Sequence, residues 1–194
     1  MKLCFATQNP NKIREISDKL NAISNNLELV DLQSVGCIEE LAEDQLTFEG
    51  NAFQKADYVS KNHFANCFAD DSGLEVEALN GEPGIYSARY AGDHKNYEDN
   101  IRLLLTKLQG KPNRNARFRT CLCLILNGKT HYFEGITEGK IIEQARGTGG
   151  FAYDCIFVPN GYDQTFAELD LASKNKISHR ALALEKLVNF LKTV

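Results

Sequence analysis

Asp70-Asp71, followed by Ser72-Gly73 and preceded by the apolar run Cys67 to Ala69, is one of five stretches in this chain whose residue types could do chemistry. Adjacent carboxylates repel one another unless a cation offsets the charge. Mg²⁺ suits that role, because it takes one or two carboxylates and completes its shell with water and phosphate oxygens. Alternatively, one carboxylate holds metal while the other takes a proton from attacking water. Asp, Ser and Gly also build ordinary turns, so the segment by itself leaves a plain acidic turn open. A second stretch, Thr7-Gln8-Asn9-Pro10-Asn11-Lys12, lies between an apolar strand and a helical pattern. A helix start offers free N–H groups and a positive dipole end to a phosphate, and Lys12 adds a full charge. The glycines and the Gly-Lys-Ser/Thr order of a Walker A loop are absent, and a capped helix with a surface lysine fits the same residues.

Three further segments carry weaker signals. Glu43-Asp44, with Glu49 nearby, could complete a metal site or simply favour the dipole of the helix that follows. Phe151-Ala152-Tyr153-Asp154 follows the loop Gly147-Thr148-Gly149-Gly150. An aromatic there could stack on a nucleobase while Asp154 accepts its hydrogen bonds, or the aromatics could be core. Lys174 and Ser178-His179-Arg180 lead into the last helical pattern, where cations oppose the dipole unless an anion is held beside them. No nucleophile–base arrangement stands out: Ser72 lacks a G-x-S-x-G setting.

The elements that must position these groups are legible in outline. A strand is predicted over Leu3 to Ala6, then a helix with Asn9 as N-cap, Pro10 first and Ile13, Ile16 and Leu20 inward. A strand over Leu27 to Leu32 and a helix over Thr47 to about Lys61 follow, then a strand ending at Asp70 and a separate short one at Leu74 to Val76. A helix is predicted over Asn96 to Leu108. Residues 116–126 alternate, Asn127-Gly128 turns the chain, and Thr130 to Thr137 runs back as a hairpin. The C-terminus reads as a helix with Ala181, Leu184, Leu187 and Leu191 inward. Interleaved helices and strands with one long hairpin imply an α/β fold with a mixed sheet.

Bulk properties narrow the partners. The 194 residues suit one substantial domain or two closely joined lobes. The net charge of −4 argues against a nucleic-acid partner, which would favour a basic excess, and leaves a small phosphorylated ligand open. No apolar stretch is long enough for a bilayer, and the first residues do not read as a signal peptide, so the cytoplasm is the expected location. None of the six cysteines forms a C-x-x-C pair, which points to reduced, mostly buried thiols and away from zinc. His63, His94 and His131 show no metal spacing and read as structural or exposed.

Taken in order, Thr7 to Lys12, Leu46-Thr47-Phe48-Glu49-Gly50-Asn51-Ala52, Ala69-Asp70-Asp71-Ser72-Gly73-Leu74, Phe151 to Asp154 and Ser178-His179-Arg180 resemble the inosine triphosphate pyrophosphatase family, the Ham1-like enzymes acting on non-standard purine nucleotides. The similarity runs from Lys2 to the last helix. It implies one pyrophosphatase domain over residues 1–194, built as an elongated mixed β-sheet with flanking helices, two lobes around a central cleft. It also implies Mg²⁺-dependent cleavage of ITP, dITP and XTP to monophosphate and pyrophosphate, usually by a homodimer. Carried over to this chain, Asp71 is the general base, and Asp71 and Glu43 hold the metal. Thr7, Gln8, Asn9, Pro10, Asn11, Lys12 and Lys55 meet the phosphates, and Ser72 contacts substrate. Phe151, Ala152, Tyr153, Asp154, Lys174, His179 and Arg180 surround the base and phosphates. The family often has glycine where Gln8, Asn11 and Ala152 stand. Two rival readings use the same segments: a nucleotide-binding sensor that does not hydrolyse, and a phosphoribosyltransferase-like enzyme using Asp70-Asp71-Ser72-Gly73 as its diphosphate loop.

Overall fold

A computed structural model describes residues 1–23 and 27–194. β1 (Lys2–Phe5) leads into α1 (Pro10–Ile23), then β2 (Glu28–Val30) and α2 (Phe48–Asn62). β3 (Cys67–Val76), α3 (Tyr97–Lys107), β4 (Asn115–Leu126), β5 (Lys129–Ile141) and β6 (Phe157–Pro159) follow, and α4 (Leu171–Ile177) and α5 (His179–Leu191) close the chain. The six strands form one mixed sheet in the order β2-β1-β3-β4-β5-β6. β1 runs parallel to β2 and β3, while β5 and β6 are antiparallel. The expected α/β class with a mixed sheet and flanking helices is therefore the one found.

Local signals account for many boundaries. The Asn9 side chain accepts from the backbone N–H of Asn11 at 3.0 Å, which caps α1, and Pro10 occupies its first position. Thr47 caps α2 by accepting from Gly50 N–H at 2.9 Å, and Asn96 caps α3 by accepting from Asp99 N–H at 3.1 Å. Asn127 and Gly128 both take positive φ, 50° and 76°, as a two-residue hairpin turn requires.

Three expectations are corrected. β3 does not stop at Asp70 but runs for ten residues through Asp71-Ser72-Gly73 to Val76, so the two strands expected there are one. Turn propensity is local, and pairing with neighbouring strands overrides it. β5 extends to Ile141, past the expected Thr137, because it continues alongside β6. The backbones approach so closely that a Cβ on Gly139 would sit 2.3 Å from the Val158 carbonyl oxygen. α4 was not expected at all: seven residues give too short a window for periodicity, although Asp170 caps it by accepting from Ser173 N–H at 2.7 Å.

The chain divides into two compact units. Unit 1 comprises residues 1–71, 120–135 and 180–194, and unit 2 comprises residues 72–119 and 136–179. Unit 1 has an apolar layer on each face of its strands. Leu3, Phe5, Phe68, Leu122 and Leu124 pack against Ile16 and Leu20 of α1 and Leu184 and Leu187 of α5. Cys4, Cys67, Ala69, Cys123 and Ile125 pack with Ala52, Ala56 and Val59 of α2. Unit 2 gathers Leu74, Val76, Leu104, Phe118, Phe157 and Phe166 into a single core. All six cysteines are unpaired, and five are buried. No helix among the described residues is long and apolar enough to cross a membrane.

Phe68 ties the layers of unit 1 to its strand register. It pairs with Phe5 across β1 and β3, is fully buried, and stacks on that ring at 4.6 Å and 9°. Phe68→Ala is expected to lower unfolding free energy by about 3–5 kcal/mol, measured by urea titration at neutral pH.

Candidate active site

The period of two along β3 organises the polar residues of unit 1. Phe68 faces α1 and α5, whereas Cys67 and Ala69 face α2. The same alternation sends Asp70 to the first side and Asp71 to the second. Lys12, in the first turn of α1, donates to Asp70 Oδ1 at 2.9 Å, and Arg180, in the first turn of α5, donates to Asp70 Oδ2 from Nε at 3.2 Å. On the opposite face, Asn51 of α2 donates to Asp71 Oδ2 at 2.8 Å. The parallel pairing of β1 with β3 explains the meeting of Lys12 and Asp70. Ala6 N–H bonds to the Phe68 carbonyl, so the segment leaving β1 emerges beside Asp70.

Each carboxylate is tuned differently. Asp70 is fully buried; burial alone would raise its pKa, but Lys12, Arg180 and Lys55 overcome this and hold it well below the ordinary range. Asp71 is raised, first by burial and further by Glu43, against the lowering influence of Lys55 and Lys12. Paired groups whose environments push their affinities apart mark a division of acid–base labour. Asp70 is a fixed anion that anchors two cations. Asp71 is the carboxylate whose affinity for a proton has been increased.

Around them the network continues. Lys55, four residues after Asn51 and so on the same face of α2, pairs with Glu43 and donates to the Asp70 backbone carbonyl at 2.6 Å. Glu43 is lowered: burial pushes it up, but Lys55 and Lys12 outweigh that. Arg180 also pairs with Glu15 of α1, and both side chains are buried. Among Lys12, Lys55, Arg180 and the carboxylates Glu15, Glu43, Asp70 and Asp71, the formal balance is 3 − 4 = −1. Glu43 and Asp71 are hard oxygen donors within a network of surplus negative charge, a donor set that fits Mg²⁺. Thr7 is buried and accepts from Asn9 N–H at 3.2 Å, while Gln8 is exposed and donates to the Glu39 carbonyl at 2.8 Å.

Unit 2 assembles its own set. Asp154 Oδ2 accepts from Lys174 Nζ and from Phe151 N–H, both at 2.7 Å. The Lys174 ammonium lies 5.3 Å from the Phe151 ring centroid and 5.4 Å from that of Phe166. Gly150 takes φ +69°, and a Cβ there would collide with Asp154 Oδ2 at 2.2 Å. Ala152 is itself left-handed at φ 53°, which explains why glycine suits that position. Tyr153 is buried and donates to the Ser87 carbonyl at 2.9 Å, and Ser87 Oγ in turn accepts from Leu74 N–H. His179 stacks on Phe118 at 4.7 Å. Ser72 follows Asp71 on β3 and opens this unit.

Sequence reasoning quoted Asn51 within the motif Leu46 to Ala52 but gave it no role, and it missed Glu15, which shows only as the i+3 neighbour of Lys12. The anion that the sequence calls for beside Arg180 is supplied at least by Asp70 and Glu15.

A mixed α/β sheet with a divided aspartate pair beside a lysine-bearing helix start defines an α/β protein with an acid–cation centre at the end of β1. Its kinship is equally specific. The sequence profile of the Ham1 family matches residues 3–190, and the chain belongs to that family. It is 50% identical over 191 residues to the dITP/XTP pyrophosphatase of Christiangramia forsetii, covering 98% of this chain and 99% of that one. It is 49% identical to that of Flavobacterium johnsoniae, covering 98% of each. The structure of a HAM1 protein from Coxiella burnetii superposes with a TM-score of 0.90 at 33% identity, covering 100% of both chains.

The two aspartates have opposite signatures in the metal-free protein. The folded-state pKa of Asp70 is depressed, so its stabilisation is present above the unfolded value of about 3.9 and is lost as pH falls through the lower folded value. Asp71 is raised, so its ionisation opposes folding at neutral pH. In chelator, Asp71→Asn is expected to raise Tm at pH 7. Asp70→Asn is expected to lower Tm at pH 7 and to flatten the loss of stability below about pH 4, both read by thermal melts across pH.

Proposed function

We propose that this chain hydrolyses dITP, XTP and ITP to the monophosphate and pyrophosphate, with residues 1–194 acting as one pyrophosphatase domain. The observation that carries the reading is the division within the aspartate pair. Asp70 is locked between Lys12 and Arg180, while Asp71, oriented by Asn51, has a raised proton affinity. The curated relatives named dITP/XTP pyrophosphatase supply the substrate class.

Asp71 accepts the proton of the attacking water, and Asn51 fixes the carboxylate so that a lone pair stays aimed at it. Attack falls on the α phosphorus, in line with the departing pyrophosphate. Lys12, Lys55 and the segment Thr7 to Asn11 at the start of α1 receive the triphosphate. Asp71 and Glu43 would hold Mg²⁺, which when bound neutralises charge on the phosphate oxygens. Arg180 is a buried counter-ion that keeps Asp70, and through it Lys12, in place. Ser72 contacts substrate. Phe151 offers a ring face to the purine, and Ala152, Tyr153, Asp154, Lys174 and His179 shape its surroundings. Lys174 and Asp154 neutralise one another, so recognition there is by shape and hydrogen bonding more than by net charge. The working form is a homodimer in the cytoplasm.

Incubation of the protein and Mg²⁺ with dITP, XTP, ITP, GTP and ATP is expected to release pyrophosphate, with the first three preferred. Inorganic phosphate as the first product refutes the cleavage position. Asp71→Asn should bind nucleotide and lose about 10²–10⁴-fold in kcat; parental turnover excludes Asp71 as the base.

A further inference from the structure

Away from the aspartates, unit 1 brings together three side chains with metal-binding chemistry. Cys37 and Glu39 lie between β2 and α2, and His63 caps the C-terminus of α2. One ligand atom from each, the Cys37 Sγ, a Glu39 carboxylate oxygen and a His63 ring nitrogen, lies within 4.8 Å of the others. His63 Nε2 stands 3.6 Å from Glu39 Oε1. Two ligands bound about 2.0–2.2 Å from a tetrahedral ion lie roughly 3.3–3.6 Å apart, so this pair already has the required spacing.

Two observations separate the group from a chance cluster. His63 Nε2 is buried and has no hydrogen-bond partner among the described residues, an arrangement that costs free energy unless something else satisfies it. The Glu39 carboxylate is itself oriented by donors: Tyr58 donates to Oε1 and Ile38 N–H to Oε2, both at 2.9 Å. Metal ligands characteristically have such outer partners to fix their orientation. The Cys37 side is buried and the Glu39 side is open to solvent, which gives an ion a route in.

We propose that Cys37, Glu39 and His63 form a binding site for a thiophilic divalent ion of the zinc class, separate from the Asp71–Glu43 pair. One sulfur, one imidazole nitrogen and one carboxylate oxygen match the donors of three-ligand zinc sites, with water as the fourth ligand. Mg²⁺ is a poor occupant, because it takes oxygen ligands in octahedral array. On binding, the Cys37 thiol becomes a thiolate ligand and its proton passes to solvent. The site is tied to the phosphate segment as well, since Gln8 donates to the backbone carbonyl of Glu39.

Calorimetric titration of the whole protein with Zn²⁺, in excess Mg²⁺ to occupy the aspartate site, is expected to show one tight site per chain. Co²⁺ in its place should give a thiolate-to-cobalt charge-transfer band. Cys37→Ser should abolish the band, and His63→Gln should weaken Zn²⁺ binding by more than the roughly 10–100-fold that losing an outer partner costs. Tyr58→Phe should fall within that range, and Asp71→Asn should leave binding unchanged. His63→Gln, altered at a helix end, carries the test if Cys37→Ser does not fold. Absence of a tight Zn²⁺ site, Zn²⁺ binding unchanged by His63→Gln, or a Co²⁺ complex without the thiolate band overturns the proposal. So does loss of the tight site in Asp71→Asn.

Discussion

Neighbouring residues on a strand point to opposite faces, and this one constraint organises the polar network of unit 1. Had Asp70-Asp71 formed a turn, both carboxylates could have shared one solvent shell and one cation. On β3 they cannot. Asp70 enters the layer between the sheet and helices α1 and α5, where only cations can offset its burial, and the chain supplies Lys12 and Arg180. Asp71 enters the α2 side, where Asn51 donates to it and burial, with Glu43 nearby, raises its proton affinity. Identical side chains one residue apart thus acquire opposite properties from the different neighbours that the pleat gives them.

Burying charge in this way is costly unless every member is satisfied. Arg180 meets two carboxylates, Asp70 meets two ammonium or guanidinium groups, and Lys55 bonds both the Glu43 carboxylate and the Asp70 carbonyl. Removing one member leaves an uncompensated charge, so the network acts as a unit. It joins α1, α2, α5 and β3, which fixes the start of α1 against the strand that carries Asp71. Unit 2 repeats the device on a smaller scale: the Lys174–Asp154 pair is covered by the rings of Phe151 and Phe166 and clamps the N–H of Phe151.

How much of this is legible in the sequence depends on the range of the interaction. Asn9 and Pro10 at the start of α1, the Asn127-Gly128 turn and the inward stripe of α5 follow from local rules, and the structure has them where those rules put them. The Lys12 segment meets the aspartate pair because β1 and β3 run parallel, and Lys12 bonds Asp70. What could not be read was which aspartate Lys12 would take. That depends on β3 continuing through Ser72-Gly73, and so on pairing with strands distant in sequence. Arg180 and Glu15, 165 positions apart, and Cys37 and His63, with no motif spacing, are further cases that only folding brings together.

The difference between the aspartates also bears on why the site tolerates an unfavourable carboxylate. Asp71 opposes folding when ionised, yet it stands beside one of the most strongly held anchors of unit 1. Asp70 gains from three nearby cations, and Phe68, two residues before it on the same face, stacks on Phe5 in the core. A rigid, over-determined strand can carry a poised group, because the stabilisation of its neighbours keeps the backbone fixed whatever the charge state of that group. A base on a loose turn would relax towards solvent and return to an ordinary proton affinity. Continuity of β3 through the acidic pair is therefore what allows the raised affinity of Asp71 to persist, and reactivity and stability are supplied by adjacent residues of one strand.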